Sequence, residues 1–379
     1  MSGIFTVTGR CGTSRARRGE LFLPHGKVET PVFMPVGTNG TVKALTNGDL
    51  EEIGFSLILA NTYHLYLRPG TGVIGAAGGL RNFTRWKGNY LTDSGGFQIF
   101  SLAPFRKITE EGARFRSHID GSYHTLSPEK AVEIQVALDS DIQMQLDVCT
   151  PWGIDQKEAG RALELTDLWL KRASAAWRRA GEDGYGGAFF SIVQGNFFPG
   201  LREESVEKAL ETETSGVAIG GLSVGEPEEV FREYLHLTSS LLPDEKPRYV
   251  MGIGTPRYIL WAIEEGIDMF DCVLPTRIGR NGHVFTHKGP LSLKKAENAA
   301  SFLPPDEACS CKVCAAYSRA YLRHLFKTRE ILCSTLASYH NLFFLNQLVL
   351  DSRKAIGENR FMEFKDSFLR QYESGENHL

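Results

Sequence analysis

The chain has 379 residues, 42% of them hydrophobic and 23% charged, the composition of an ordinary globular protein with enough apolar material for a sizeable core. Its 42 Lys+Arg against 45 Asp+Glu leave a net charge of -3, so any contact with nucleic acid has to come from a local patch and not from a global field. No run of about 18 apolar residues occurs, which excludes a membrane-spanning helix on length. The Arg-rich stretch from Met1 to Arg18 lacks the hydrophobic segment of a signal peptide, and a cytoplasmic protein is expected.

From Pro31 onward, short apolar runs alternate with amphipathic stretches, the pattern of repeated βα units. In chain order the predicted strands are Val32 to Val36, Ser56 to Ala60, an ill-defined one before Asp93, Asp141 to Leu146, Phe189 to Val193, Val217 to Ile219, Tyr249 to Met251 and Asp268 to Phe270. Helices are predicted over Ser127 to Leu138, Lys157 to Ala180, Gly200 to Thr212, Pro227 to Leu241 and Pro256 to Glu265. The Ser127-Pro128 start supplies an N-cap followed by proline at the first helical position.

Polar residues follow many of these strands: Asp93, Asp147, Gln194, Gly220-Gly221 and Asp271. A closed barrel gathers the ends of all its strands on one face, whereas an open doubly wound sheet concentrates its site at one switch point. The expected fold is therefore α/β, a (β/α)8 TIM-type barrel over residues 1–276. Residues 277–355 are expected to form an appended, basic, zinc-binding subdomain, and residues 356–379 a C-terminal helix packing back on the barrel. From Arg277 to Glu330 ten basic residues face four acidic ones, the local patch that the whole-chain charge conceals.

Cys309, Cys311 and Cys314 crowd into six residues, while Cys11, Cys149, Cys272 and Cys333 are scattered. In a reducing compartment that distribution points to a metal site, not to disulfides. Zinc takes four ligands, and His340 is the best candidate for the fourth, with His324 and Cys333 as competitors. Four protein ligands close the shell, so such a zinc is structural and activates no water.

Thr92-Asp93-Ser94-Gly95-Gly96-Phe97-Gln98 joins a carboxylate to small residues that let a flat ligand approach the backbone; a tight turn with an Asx hydrogen bond would give the same string. Asp147 and Asp271 fall at other strand ends. If the three meet without a metal, repulsion should spread their pKa values, suiting one to proton transfer and another to nucleophilic attack. Glycosidic chemistry asks for that pair, one carboxylate attacking the anomeric carbon and one protonating the leaving group. A rival is a metal-dependent hydrolase holding a divalent cation at the same strand ends. Only His64 and His118 are placed to assist it, and neither has ligand-pair spacing.

The strings Asp93 to Gln98, Leu146-Asp147 with Cys149-Thr150-Pro151, Val193-Gln194-Gly195, Ala218 to Glu226, Met251 to Pro256 and Phe270 to Arg277 resemble, in order, the bacterial type of the tRNA-guanine transglycosylase (queuine tRNA-ribosyltransferase) family. The resemblance covers most of the chain. It implies exchange of the wobble guanine of Asn, Asp, His and Tyr tRNAs for the 7-deazaguanine preQ1, on the way to queuosine, with no nucleotide cofactor consumed. By the same resemblance Asp271 is the nucleophile at C1′ of the ribose and Asp93 the general acid and base. Asp147 would accept hydrogen bonds from the purine edge, Gln194 and the Gly221 amide would bind its exocyclic oxygen, and Phe97 with Met251 would sandwich the ring. Ser94, Gly95, Gly96, Gly220 and Leu222 complete the base pocket.

The anticodon loop would run along Gly252, Ile253, Gly254, Thr255, Pro256, Arg257 and Tyr258. It would then pass Thr276, Arg277, Ile278, Gly279 and Arg280, with Arg277 and Arg280 reading the bases that flank the wobble nucleotide. The family also carries a Cys-x-Cys-x-x-Cys site with a distant histidine, which implies one structural Zn2+ on Cys309, Cys311, Cys314 and His340. Its members usually form homodimers. One departure bears on substrate: bacterial members commonly have a glutamate directly after the recognition aspartate, tied to a peptide switch near Leu222-Ser223 that accommodates the aminomethyl group of preQ1. Here that position is Val148, with Glu226 left to serve the switch, which keeps queuine or another salvaged deazapurine open as the incoming base. A non-catalytic RNA-binding partner subunit is a second alternative, opposed by the retention of Asp93 and Asp271.

Overall fold

The computed structural model describes residues 3–102 and 106–374. The apolar runs are buried from end to end, as in Leu57–Ala60 and Ala188–Val193, because each strand packs inward against the others and outward against helices. Eight such strands, β1 (Val32–Gly37), β2 (Leu57–Ala60), β3 (Asn89–Thr92), β4 (Ile142–Met144), β5 (Ala188–Val193), β6 (Gly216–Ile219), β7 (Arg248–Val250) and β8 (Met269–Cys272), close into a barrel. Consecutive strands pair in parallel, and β8 returns to β1. The fold is the expected (β/α)8 barrel. The uncertain strand before Asp93 is present as β3. β8 runs further than the sequence indicated, because Asp271 and Cys272 pair with Met34 and Pro35. Asp271 thus sits on the last turn of the barrel wall instead of in a loop.

Alternate strand residues fill the interior, including Met34, Leu59, Met144, Phe190, Ile192, Tyr249 and Met269. Three antiparallel strands that precede the barrel, Phe5–Arg10, Arg17–Leu23 and Gly26–Thr30, add Phe5, Leu21 and Val28 to that same cluster. They close the end where the strands begin. Arg17, fully buried, pairs there with Asp268 at 2.6 Å, one residue before β8. The opposite end stays open for polar groups. A second antiparallel sheet, Arg106–Thr109, Gly112–Arg116 and Tyr123–Leu126, is inserted between β3 and β4.

The predicted helices appear as Pro128–Ala137, Gln156–Glu182, Pro199–Glu211, Glu228–Leu241 and Pro256–Glu264. The Ser127 hydroxyl accepts from the Lys130 amide at 3.1 Å, capping the first of them. Past the barrel, helix Ile331–Gly357 packs on helix Leu274–Arg280, on β1 and on the short helix Lys312–Ala316, and helix Phe361–Glu373 packs on it and on Pro256–Glu264. No described helix is long and apolar enough to cross a membrane.

Candidate active site

Asp93 directly follows β3 and is half-buried. Its Oδ2 accepts from Asn61 Nδ2 at 2.5 Å and its Oδ1 from the Thr62 amide at 2.8 Å, both from the residues just past β2. Burial pushes the carboxyl up to about 7; the Thr62 amide opposes that shift and the Asp271 charge adds to it. Asp93 is therefore poised to hold or release a proton near neutrality.

Asp271 is half-buried. Its Oδ1 accepts from the Tyr249 hydroxyl at 2.5 Å and from the Gly252 amide at 2.9 Å. Neither donor reaches Oδ2. Burial raises this carboxyl too, against the two hydrogen bonds. Two carboxylates that feel each other, one raised to about 7 and one anchored through a single oxygen, have the unequal character that acid and nucleophile roles at an acetal-type carbon ask for.

Asp147, past β4, is buried and accepts from Gln194 Nε2 at 2.6 Å. Burial pushes it up to about 6, with the Gln194 hydrogen bond opposing. The Gln194 Oε1 is buried without a hydrogen-bond partner. A flat polar ligand that takes over the Asp147 oxygen would release the amide to bind it as well. Gly220 and Gly221 are pressed against Gln194: a Cβ would lie 2.6 Å from Nε2 at the first and 2.5 Å from Oε1 at the second. Cys149 lies beside this group with its thiol pushed up to about 12 by burial and then by Asp147, so it stays protonated. The loop after Asp93 meets the one after β4, since a Cβ on Gly96 would lie 3.0 Å from the Asp147 carbonyl oxygen. Ser94 is buried and its Oγ accepts from the Gly96 amide.

Phe97 is 57% exposed above this floor, and Met251 is half-buried against the barrel interior. Leu222 is buried. The Glu226 carboxylate accepts from the Ser223 amide at 2.5 Å and the Val224 amide at 2.8 Å, so both its oxygens hold the loop after β6. Val148 is buried, its own amide bound to Thr166 Oγ1 at 3.0 Å.

The residues expected to track RNA divide. Gly252 is exposed beside Asp271, whereas Ile253, Gly254 and Pro256 are buried. The Thr255 hydroxyl is buried without a hydrogen-bond partner. Arg257 pairs with Glu228 at 3.2 Å and Glu373 at 3.3 Å, and Tyr258 packs on Phe231 and Trp261. Arg277 is exposed and Ile278 half-buried, while Thr276 is buried with its hydroxyl on the Val273 carbonyl. Gly279 serves packing, as a Cβ there would meet the Ser338 amide at 2.9 Å. Arg280 Nη1 is buried without a hydrogen-bond partner. In the basic segment, Lys312 is already paired with Asp49 and Glu52.

The sulfurs of Cys309, Cys311 and Cys314 and a nitrogen of His340 lie within 4.8 Å of one another. His340 Nδ1 faces the three sulfurs at 3.9, 3.4 and 3.3 Å, while its Nε2 is engaged by the Phe285 carbonyl at 2.7 Å. A histidine with one nitrogen fixed by a carbonyl and the other aimed at three thiols suits a tetrahedral metal ion. Of the competitors, Cys333 instead bonds the Glu330 carbonyl. Among the described residues this is the one group of three or more histidine, cysteine or acidic side chains able to hold a metal. His118 bonds the Tyr63 hydroxyl and does not join the strand-end carboxylates.

Sequence reading missed Asn61, Thr62 and Tyr249. Asn61-Thr62 ends a predicted strand just as the aspartates do and could have been found by that logic; Tyr249 reads as core.

A closed barrel with two unequal carboxylates at its open end and a separate Cys3His cluster has the layout of a (β/α)8 group-transfer enzyme. The sequence model of a family described as queuine tRNA-ribosyltransferase matches residues 11–374. A queuine tRNA-ribosyltransferase of Treponema denticola is 57% identical over 371 residues, 98% of each chain. One of Caldanaerobacter subterraneus subsp. tengcongensis is 52% identical over 368 residues, 97% of each chain, and one of Borrelia duttonii is 50% identical over 372 residues, 98% of this chain and 99% of the relative. The chain belongs to this family, the tRNA-guanine transglycosylases, and is a pentosyltransferase.

Proposed function

We propose that the protein replaces the wobble guanine of GUN-anticodon tRNAs for Asn, Asp, His and Tyr with preQ1, through a covalent aspartyl-ribosyl-RNA intermediate. The observation that carries this reading is the unequal pair: Asp93 held up at about 7 beside Asp271, whose Oδ1 alone is anchored. Asp271 Oδ2 attacks C1′ of the wobble ribose as the bond from C1′ to guanine breaks, and Asp93 hands its proton to the departing base. The incoming base gives a proton to Asp93 and attacks C1′, which frees the Asp271 carboxylate and restores the starting state.

Asp147 accepts from the adjacent N1–H and N2–H of the purine, Gln194 and the Gly221 amide donate to its oxygen, and Phe97 and Met251 enclose the ring. An anticodon loop presents its base outside a stack at little cost in pairing. The unpartnered Arg280 Nη1 and the exposed Arg277 support a role in holding the flanking nucleotides. Cys309, Cys311, Cys314 and His340 hold one Zn2+, which supplies a closed structural cross-link and takes no part in the transfer. We place the enzyme in the cytoplasm as a homodimer.

Val148 favours a second reading, in which queuine or another salvaged deazapurine enters. With no carboxylate at this position, Glu226 is the carboxylate that holds the amides of Ser223 and Val224, and the buried apolar side chain of Val148 tolerates a less polar substituent at position 7. Base exchange decides both points: unmodified tRNA-Tyr is incubated with labelled guanine, then challenged separately with preQ1 and queuine. Incorporation lost in Asp271→Asn supports transglycosylation, and the stronger competitor identifies the base. No incorporation by folded, metal-loaded protein would overturn the reading in favour of a non-catalytic RNA-binding subunit.

A further inference from the structure

We propose that Arg202 is the positioning residue of the purine pocket: its buried guanidinium holds the Gly220-Gly221 peptide so that the Gly221 N–H faces the bound base. The inference rests on the assignment of Asp147, Gln194 and the Gly221 amide to base binding.

Arg202 lies in the first turn of helix Pro199–Glu211 and is 0% exposed. Its Nε donates to the Asn196 carbonyl at 2.8 Å, Nη1 to the Gly220 carbonyl at 2.8 Å and the Val193 carbonyl at 3.3 Å, and Nη2 to the Gly221 carbonyl at 3.2 Å. Every one of these acceptors is a main-chain oxygen, from the last residue of β5 and the loops after β5 and β6. Among the described residues it forms no ion pair with a carboxylate. A cation in the first turn of a helix opposes the helix dipole, and a buried charge with no carboxylate in contact is costly, the more distant Glu226 charge offsetting only part of its burial. Packing alone does not account for an arginine at this place.

What the guanidinium does is fix a direction. In a trans peptide the carbonyl and the following N–H point opposite ways. With the Gly220 oxygen drawn onto Nη1, the Gly221 N–H is turned away from Arg202, and it meets the Cys149 thiol, two residues from Asp147. Gly221 adopts φ +65°, and both glycines touch the Gln194 amide. The Gly221 N–H on Cys149 and Gln194 Nε2 on Asp147 are thus two donors of one pocket that an incoming base can take over. A planar five-donor fork is needed to hold carbonyls of two loops at once, which a lysine ammonium does not reproduce.

The test is equilibrium binding of three purines to the full-length, metal-loaded protein and to its R202M and R202K variants. Guanine presents the oxygen and both edge donors, 6-thioguanine replaces the oxygen with a poor acceptor, and hypoxanthine keeps the oxygen but lacks the 2-amino group that reports on Asp147. In both variants the preference for guanine over 6-thioguanine should fall roughly tenfold, while the preference for guanine over hypoxanthine stays as in the parent. Equal weakening of all three purines would show a merely structural role and overturn the proposal, as would no change. R202K keeps the buried charge and carries the test if R202M does not fold. If the parent protein itself fails to prefer guanine over hypoxanthine, the assignment of the pocket fails, and the proposal with it. If the parent discriminates and the variants discriminate equally well, Arg202 alone is refuted.

Discussion

Replacing Tyr249 with phenylalanine removes a single oxygen from the barrel interior, where the ring is fully buried, and leaves Asp271 Oδ1 with the Gly252 amide alone. The lost hydrogen bond runs to a charged acceptor at 2.5 Å, a class that contributes about 1.5–3 kcal/mol. Without that bond the Asp271 pKa should climb. The sign follows from the physics: burial already raises this carboxyl and the Tyr249 hydroxyl holds it down, so deletion raises it further. Because the proposed attacking form is the carboxylate, the acid limb of covalent-adduct formation should shift to higher pH. Below the limb the rate falls by about 10- to 100-fold.

Stability responds with the same sign. A carboxyl whose folded pKa exceeds its unfolded value contributes stability that is complete below the unfolded pKa and is lost as pH rises through the folded one. Tyr249→Phe should therefore lower Tm more at pH above the folded pKa of Asp271 than in acid, where the carboxyl is protonated. Adduct formation with unmodified tRNA-Tyr in a single turnover, followed across pH beside thermal melts, reads both effects. An acid limb that stays in place with an unchanged rate would refute the role given to this hydrogen bond.

The two half-reactions should respond oppositely to the Asp93 pKa of about 7: adduct formation needs its acid form and slows above that pH, whereas transfer to an incoming base needs the carboxylate and slows below it. Rapid-quench measurement of each half separately checks this, and identical limbs would contradict it. Asp147→Asn should weaken guanine binding by at least roughly tenfold, read by titration, with full affinity in the variant ruling out the recognition scheme. His340→Ala removes the nitrogen that faces all three sulfurs and should lower bound metal below one per chain and depress Tm, by elemental analysis and calorimetry. Val148→Glu should shift competition toward preQ1 and away from queuine; unchanged ratios would show that position 148 does not select the base.

The barrel strands were legible because buried parallel strands read as unbroken apolar runs, and the helix at Pro128 because its serine cap and first-turn proline are local signals. The cysteine cluster was legible from its spacing, whereas a count of missing ligands left His340 in competition with His324 and Cys333, and the family resemblance singled it out. The antiparallel strand Arg17–Leu23 is harder to see: an inward position is taken by Arg17, fully buried on Asp268, so a charge stands where alternation calls for an apolar residue. Arg202 escapes notice for the same reason, since an arginine in an amphipathic helix reads as solvent-facing until its carbonyl partners from distant loops are in view. Tyr249 is the converse case, a strand aromatic whose ring belongs to the core and whose hydroxyl belongs to Asp271. Residues that use one end for packing and the other for chemistry are not separated by periodicity.

The central claim is that Asp271 carries the ribose. Wild-type protein is incubated with unmodified tRNA-Tyr in the absence of free base and denatured; the RNA is digested and the protein peptides are mapped by mass spectrometry. The account predicts a ribonucleotide remnant on the peptide containing Asp271, absent in Asp271→Asn and removed when guanine is added before denaturation. An adduct on another residue, or exchange activity with no adduct under any of these conditions, would contradict it.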